Sequence, residues 1–278
     1  MESPDRSIHR NPAWALMRDL IHERSGIYFS DESMELMVGK ITDLMAERDM
    51  DSPVDYYYLV KYEGEASGEW QHLLNAISVR ESYFWREVDQ IRAFVKVLVP
   101  EYARTLTKPL RIWSAACASG EEPVSIAMAL DQEKWFDRIP IEIYASDMSS
   151  AAICAAERGI YKERSFRNLP VELRDRYFTA TPDGKSEVLP ELRRRIMWRR
   201  ANLAERSEIE YLAGAPFIFC RNVFIYFSGS TIQKVIKTYE ECMPSPGYLF
   251  LGAAESLVRF TKRFRLEEIG GAFVYVKD

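Results

Sequence analysis

The sequence predicts an α/β protein in which an all-helical N-terminal domain precedes a doubly wound, mainly parallel sheet with a small β insertion. Three observations support this prediction. Apolar residues recur at helical spacing through residues 1–80. Short apolar strands alternate with helical patterns after that point. Residues 111–130 show a strand, a turn of small residues and a helix in direct succession, which is typical of a ligand-binding turn in an open sheet.

The length and charge of the chain limit the function classes. Its 278 residues suffice for one large or two modest domains. The net charge of -5 argues against a broad nucleic-acid-binding surface. The N-terminal residues lack the apolar core of a signal peptide, and no apolar run is long enough to cross a bilayer. We therefore expect a cytoplasmic protein without nucleic-acid binding or membrane insertion.

The cysteines give no sign of a metal site. Cys117, Cys154, Cys220 and Cys242 are widely scattered, and no CxxC pair or Cys/His cluster is present. We expect reduced thiols and no bound metal.

Capping residues mark the helices of the N-terminal domain, and Gly26 ends the first of them. The second has an apolar stripe from Met34 to Met45 that we interpret as core packing. The four predicted helices begin at Asn11 and Pro12, at Ser30, at Ser52 and Pro53, and at Ser67.

The turn in residues 115–123 indicates what kind of ligand the sheet binds. Its residues are small up to Gly120, and small residues let a ligand approach the backbone closely. Glu121 and Glu122 would repel a phosphate and suit a hydroxyl-rich or cationic ligand, such as S-adenosylmethionine with its ribose and ammonium. The alternative is an acidic first helical turn stabilised by the helix dipole. Both interpretations are open on the turn alone.

Polar residues end the next predicted strands. The strand at residues 141–145 leads to Asp147, where α/β nucleotide binders hold a ribose, or where a cap for the following helix would lie. The strand at residues 217–220 leads to Arg221 and Asn222, with Tyr226 shortly after. Further strands are predicted at residues 248–253 and 272–278.

A small β insertion is predicted at about residues 178–198. A Pro-Asp-Gly turn at residues 182–184 indicates a hairpin, followed by a strand at residues 196–199. Its arginine run is either a solvated face or a partner surface.

Several long motifs resemble one family and occur in its order: "ESYFWRE", "WSAACASGEEPVSIAMAL", "YASDMSSAAICAAERGIY", "RYF", "ANL", "FCRNVFIYFS" and "LFLGAAES". The chain resembles the chemoreceptor glutamate O-methyltransferases, the CheR family, over nearly its whole length. This resemblance implies a helical domain at residues 1–80 and a Rossmann-like methyltransferase domain that binds S-adenosylmethionine at residues 81–278. It also implies S-adenosylhomocysteine as the product and the cytoplasmic domain of a chemoreceptor as the partner.

The resemblance also implies site residues. Ser82 and Arg86 would lie near the methionine end of the cofactor, Glu122 near its ammonium, Asp147 at the ribose, and Asn202 with Leu203 at the adenine. The expected cofactor-binding set is Arg80, Ser82, Arg86, Ala116, Ser119, Gly120, Glu122, Asp147, Asn202, Leu203, Arg221 and Asn222. The expected catalytic set is Arg86, Arg221 and Tyr226.

Departures from the family pattern keep other functions open. Arg80 stands where the family often has Asn. The receptor-reading second helix, basic in the family, keeps only Lys40. The hairpin within residues 179–195 is shorter than in members that dock a receptor tail peptide, so no such docking is expected. The alternatives are a methyltransferase for another protein or a small acid, and a cofactor-sensing module without catalysis.

Overall fold

The computed structural model describes residues 11–79 and 81–278, which form two compact units. The first unit comprises the helical chain up to Val79 together with Tyr226–Thr231, and the second comprises the remainder. The predicted helical part therefore shares its unit with a short segment from far along the chain. No helix in the described ranges is both long and apolar enough to cross a membrane.

The helical unit begins where the sequence predicts. Asn11 caps the first helix by accepting the Ala13 N–H at 3.0 Å, and Gly26 ends it in the left-handed region at φ 77°. Among the described residues of this unit, five α-helices are present: α1 Pro12–Ser25, α2 Met34–Ala46, α3 Pro53–Tyr58, α4 Gly64–Ser67 and α5 Glu69–Ile77. A π-helical stretch, Leu59–Glu63, joins α3 to α4.

Two predicted helix starts shift in the structure. A 3₁₀ turn, Asp31–Ser33, follows Ser30 before α2 begins. Ser67 ends α4 instead of opening a helix, because Gly68 takes φ 76° and breaks the chain direction before α5. The apolar stripe of α2 is buried as expected, with Met37 and Ile41 fully covered.

The second unit is built on a seven-stranded sheet. Its strands are β1 Leu110–Ala115, β2 Ile141–Asp147, β6 Ile196–Arg200, β7 Phe217–Phe219, β8 Gly247–Phe250, β9 Phe264–Ile269 and β10 Ala272–Lys277. They lie in the order β6-β2-β1-β7-β8-β10-β9; the first five are parallel, and β10 and β9 are antiparallel. The predicted doubly wound, mainly parallel sheet is confirmed.

Helices precede β1 and lie between the strands of this sheet from β1 to β8, as the alternating pattern predicts. They are α6 Val88–Ala93, α7 Val99–Ala103, α8 Glu121–Gln132, α9 Ser150–Arg158, α10 Val171–Tyr177, α11 Pro190–Arg193, α12 Arg206–Ala213 and α13 Gly229–Cys242. The chain leaves β1 toward β2 and β6 on one side, and returns through β7 toward β8 on the other. The order therefore reverses between β1 and β7, where open sheets of this kind bind ligands.

The insertion is a separate three-stranded antiparallel sheet, not a lone hairpin. It contains β3 Ile160–Tyr161, β4 Phe178–Ala180 and β5 Ser186–Val188 in the order β3-β5-β4. Gly184 takes φ 75° in the predicted turn. The chain from Ile196 onward lies outside this small sheet, because β6 pairs in parallel with β2 at the edge of the main one.

Candidate active site

The carboxyl ends of β1, β2, β6 and β7 lie along one edge of the sheet, because these strands are parallel neighbours. Most of the cofactor-binding residues predicted from the sequence follow these four strand ends. The topology thus gathers positions as far apart in sequence as Ala116 and Asn222 at the reversal of strand order.

The turn after β1 has an unusual backbone. Ala116, Ala118 and Gly120 have φ values of 59°, 48° and 92°. A Cβ on Gly120 would lie 2.9 Å from both Ala156 and Trp198. The missing side chain at this position therefore permits close packing of the turn against α9 and β6, whereas the sequence had suggested room for a ligand.

Hydrogen bonds of the Asp147 side chain connect this turn to the end of β2. Its Oδ2 accepts the Ala118 N–H at 3.0 Å, and its Oδ1 accepts the Ser149 N–H at 2.9 Å. The cap of α9 is Ser149, whose hydroxyl accepts the Ala152 N–H at 3.1 Å, so the capping role considered for Asp147 belongs to Ser149. Its carboxylate lies at the end of β2, the position where α/β nucleotide binders hold a ribose, so Asp147 is the candidate ribose-binding residue.

A buried ion pair joins β7 to the helix that follows β1. The Arg221 Nε donates to Glu122 Oε2 at 2.6 Å, and the two side chains are 2% and 12% exposed. The Ser114 hydroxyl donates to the other carboxylate oxygen at 2.6 Å, and Arg221 also donates to the Arg86 carbonyl at 2.8 Å. The Arg221 side chain thus holds the Glu122 carboxylate and the backbone at Arg86 in place.

The neighbouring Glu121 has a different role from Glu122. It is 2% exposed and accepts hydrogen bonds from the hydroxyls of Ser119 and Ser165. Glu121 stabilises the turn through these hydrogen bonds. Of the two adjacent carboxylates, Glu122 is the more accessible to a ligand.

The turn also contains a buried thiol. Burial, followed by the charge of Asp147, holds the pKa of the Cys117 thiol well above its ordinary value.

Asn202 and Leu203 lie two and three residues after the end of β6 and are buried. The Asn202 side chain accepts the Ala204 N–H at 3.0 Å, which closes a local turn. The Ala201 N–H donates to the Asp147 carbonyl at 3.0 Å, so this turn is joined to the end of β2. The expected adenine and ribose positions are therefore neighbours.

Glu255, which the sequence analysis did not assign, organises the loop after β7. Its Oε2 accepts the N–H groups of Asn222 and Gly252 at 2.7 Å each. Its Oε1 accepts those of Val223 at 2.9 Å and Phe224 at 2.7 Å. Burial raises the pKa of Glu255, and these four hydrogen bonds oppose the rise. The available sequence signal was an acidic residue close behind β8, inside the quoted motif "LFLGAAES".

The residues before α6 form an aromatic and cationic cluster. The guanidinium carbons of Arg86 and Arg167 lie 5.5 and 3.7 Å from the ring centre of Tyr83. Trp85 takes φ 64°, and its N–H donates to the Ser125 hydroxyl of α8 at 3.1 Å. Ser82 is partly buried in the same segment.

Two further residues are predicted for the site, Arg80 and Tyr226. Arg80 lies outside the described residues. Tyr226 belongs to the helical unit, where its carbonyl accepts the Tyr28 N–H at 2.8 Å.

Family comparison identifies the chain. A model of the SAM-binding domain of CheR methyltransferases matches residues 80–272, and a model of the all-alpha domain of CheR methyltransferases matches residues 12–78. The chain belongs to the CheR methyltransferase family. The resemblance inferred from the motifs is confirmed, and the chain is a methyltransferase that uses S-adenosylmethionine.

Individual relatives agree with this assignment. The chain is 31% identical over 264 residues to chemotaxis protein methyltransferase 2 of Vibrio cholerae, covering 94% of this chain and 91% of that protein. It is 30% identical over 252 residues to the chemotaxis protein methyltransferase of Escherichia coli, covering 89% and 85%. Among solved structures, magnesium protoporphyrin IX methyltransferase of Synechocystis has a TM-score of 0.34 and 14% identity, with 79% and 91% covered.

The residues of this CheR methyltransferase suit S-adenosylmethionine. Asp147 places a carboxylate at the edge where a ribose is expected, and Glu122 places a partly covered negative charge beside the turn. Ala116 and Ala118 in this turn have left-handed backbone conformations. An acceptor-rich set of this kind fits a ligand that carries hydroxyls and positive charge.

Proposed function

We propose that this CheR methyltransferase methylates glutamyl side chains in the cytoplasmic domain of a chemoreceptor, with S-adenosylhomocysteine as the second product. The observation that carries the proposal is that both domains of the family match, over residues 12–78 and 80–272. The relatives named above are chemotaxis methyltransferases and extend over most of the chain. The proposal places the protein in chemotaxis-type signalling in the cytoplasm.

The proposed reaction requires positioning rather than proton transfer. When bound, S-adenosylmethionine supplies an electrophilic methyl group on a positively charged sulfur. A glutamyl side chain, with an ordinary pKa of about 4.3, is already ionised at neutral pH, so no residue has to remove a proton. The protein must hold the carboxylate in line with the methyl group and keep water away from two opposite charges that disappear during reaction.

We assign these tasks to different residues. Buried Phe84 and Trp85 exclude water around the segment that carries Arg86. Arg86 lies over Tyr83, where it can orient a carboxylate. A cation too close to the attacking oxygen would lower its nucleophilicity, so Arg86 sets geometry without donating strongly to that oxygen. Arg221 acts indirectly, because its ion pair with Glu122 holds that carboxylate in position.

One observation favours a second candidate, a methyltransferase that acts on another protein or on a small acid. Lys40, the basic residue kept on α2, donates to the carbonyls of Ala76 and Ile77 at 2.9 and 3.4 Å and so caps the C-terminal end of α5. The exposed residues of α2 include Glu35 and Asp43. This helix therefore offers an acidic surface, unlike the basic surface with which the family reads its receptors.

A sensing module without catalysis has less support. Arg86, Arg221, Asn222 and Tyr226 are all present in the chain. Loss of catalysis would remove the need to retain these four residues.

An assay of methyl transfer to receptor fragments distinguishes among these functions. The purified enzyme is incubated with tritiated S-adenosylmethionine and cytoplasmic receptor fragments, and the label is then treated with mild base. Glutamyl methyl esters release volatile methanol, so base-labile counts on receptor glutamates support the proposal. Fragments in which the labelled glutamates are replaced by alanine are the matched control. Base-stable label, or transfer to a different protein alone, contradicts it.

A further inference from the structure

The Glu255 carboxylate is saturated by backbone donors. Each of its two oxygens accepts two N–H groups at 2.7–2.9 Å. A carboxylate offers about four acceptor positions, so none is left for a ligand. Three of the donors are the consecutive residues Asn222, Val223 and Phe224, and the fourth is Gly252 after β8. Successive N–H groups that converge on one point form an anion-binding nest, which this carboxylate fills.

The surrounding residues make room for this arrangement. Asn222 has φ 58°, a left-handed conformation that Asn adopts more readily than most residues. A Cβ on Gly252 would lie 2.3 Å from Asn222 Nδ2 and 2.9 Å from Glu255 Oε2. A side chain at position 252 would therefore displace either the carboxylate or the Asn222 amide.

The fixed loop is connected directly to the site. Arg221 immediately precedes Asn222 and forms the buried pair with Glu122 at 2.6 Å. Three consecutive hydrogen-bonded amides restrict the backbone conformation at Asn222. Because Arg221 is the preceding residue, its Cα–Cβ direction is restricted as well. Glu255 therefore acts on Glu122 through two covalently adjacent residues.

We propose that Glu255 is a positioning residue for methyl transfer, which holds the loop of Arg221 and Asn222 in the conformation that the cofactor requires. Glu255 touches neither cofactor nor substrate in this role. The kinetic part of its test rests on the proposed receptor methylation, whereas the exchange and binding parts do not.

Replacing Glu255 with Gln keeps the shape of the side chain and replaces one of its two acceptor oxygens with an NH₂ group. A carboxamide has one acceptor oxygen, and its NH₂ group would face two backbone donors. We expect amide hydrogen exchange at positions 222, 223, 224 and 252 to become about tenfold faster or more, with exchange in β1 unchanged. We also expect weaker S-adenosylhomocysteine binding and a methyl-transfer kcat about tenfold lower, because small displacements of reacting groups cost large factors in rate.

Controls separate positioning from folding. Glu268→Gln, on an exposed position of β9, is the matched control and should leave all three measurements unchanged. Thermal unfolding of each variant establishes that it is folded at the assay temperature. If Glu255→Gln does not fold, Gly252→Ala tests the same loop from its other side and should give the same pattern.

Two outcomes would overturn the proposal. One is unchanged exchange at the four amides in a folded variant. The other is faster exchange with S-adenosylhomocysteine affinity and kcat both within about twofold of the wild type, which leaves Glu255 a purely structural role. If the wild type methylates no receptor fragment, receptor methylation is wrong, and exchange and product binding still decide the role of Glu255.

Discussion

At the residue scale, Asp147 has a structural role that the structure shows and a proposed role in binding the cofactor. Each of its oxygens accepts one backbone N–H, from Ala118 and from Ser149. The carboxylate therefore joins the turn after β1 to the turn after β2, at the strand end where a ribose is expected.

Asp147→Ala should weaken binding of S-adenosylmethionine and S-adenosylhomocysteine roughly 10- to 150-fold, because a hydrogen bond to a charged group contributes about 1.5–3 kcal/mol. Titration calorimetry measures this directly. Asp137→Ala, at an exposed position, is the control and should bind as the wild type does. Unchanged affinity in Asp147→Ala would remove this residue from the cofactor site.

The sequence pointed to the residues that end strands but not to their partners. Asp147, Arg221 and Asn222 were found because a polar residue after an apolar strand is a local signal. The hydrogen bonds that Glu255 accepts include one from a residue 33 positions away in sequence. The ion pair between Arg221 and Glu122 joins residues 99 positions apart. Contacts of that range follow from the tertiary fold, which local patterns in one sequence do not specify.

At the scale of elements, the turn after β1 depends on Gly120. Gly120→Ala combines backbone strain at φ 92° with contacts of 2.9 Å to Ala156 and Trp198. Left-handed strain costs about 1–2 kcal/mol, and overpacking costs roughly 1–3 kcal/mol. The free energy of unfolding, measured by urea denaturation, should therefore fall by about 2–5 kcal/mol.

Gly184 offers a matched control for this substitution. It has φ 75° in the hairpin turn, and a Cβ there would meet nothing within 4 Å. Gly184→Ala should therefore show the backbone cost alone, about 1–2 kcal/mol. Equal losses in the two variants would show that packing of the turn against α9 and β6 contributes little.

The small sheet also bears on partner binding. Tail-peptide docking by strand addition needs an exposed edge with enough backbone groups to pair. The outer strands here, β3 and β4, have only two and three residues. We therefore expect a labelled C-terminal receptor peptide to show no saturable change in fluorescence anisotropy with the enzyme, like its scrambled control. Saturable binding of the native peptide alone would contradict this expectation.

Element prediction succeeded where periodicity was long and missed short signals. Strand β9 was not predicted, although Gly270 and Gly271 form a two-residue signal for a hairpin with β10. The third strand of the insertion was also missed, because Ile160 and Tyr161 are too few to show alternation. Tertiary pairing, not local propensity, makes these residues strands.

At the scale of the whole molecule, the division into units does not follow the sequence boundary alone. Tyr226–Thr231 joins the helical unit, where Ile27 bridges Phe227 and His22 Nε2 lies 2.8 Å from the Ser228 hydroxyl. A pattern of residues along the sequence does not predict that a short segment packs in a different unit from the residues on either side of it. The consequence is that Tyr226, an expected catalytic residue, lies two positions from a hydroxyl bonded to a histidine.

This contact sharpens the test of the proposed mechanism. The chain has three histidines, His9, His22 and His72, and none lies in the stretch from residue 81 to the end. Because the glutamyl substrate is ionised without help, the rate should fall at low pH with the substrate carboxylate and be flat from about pH 6 to 8, where histidines ordinarily titrate. The sign follows from the nucleophile: protonation removes the attacking lone pair, so activity is lost as pH falls.

Replacing all three histidines should leave kcat nearly unchanged, and His22→Ala alone is the most demanding single variant because of its contact with Ser228. His72→Ala is its matched control, since His72 lies near Glu47 and Glu69 within the helical unit. The measurement is kcat for receptor methylation across the pH range in the wild type and each variant. A step in rate near neutral pH that disappears in His22→Ala but persists in His72→Ala would overturn the base-free mechanism, because a titrating histidine would then control the reaction through the segment that carries Tyr226.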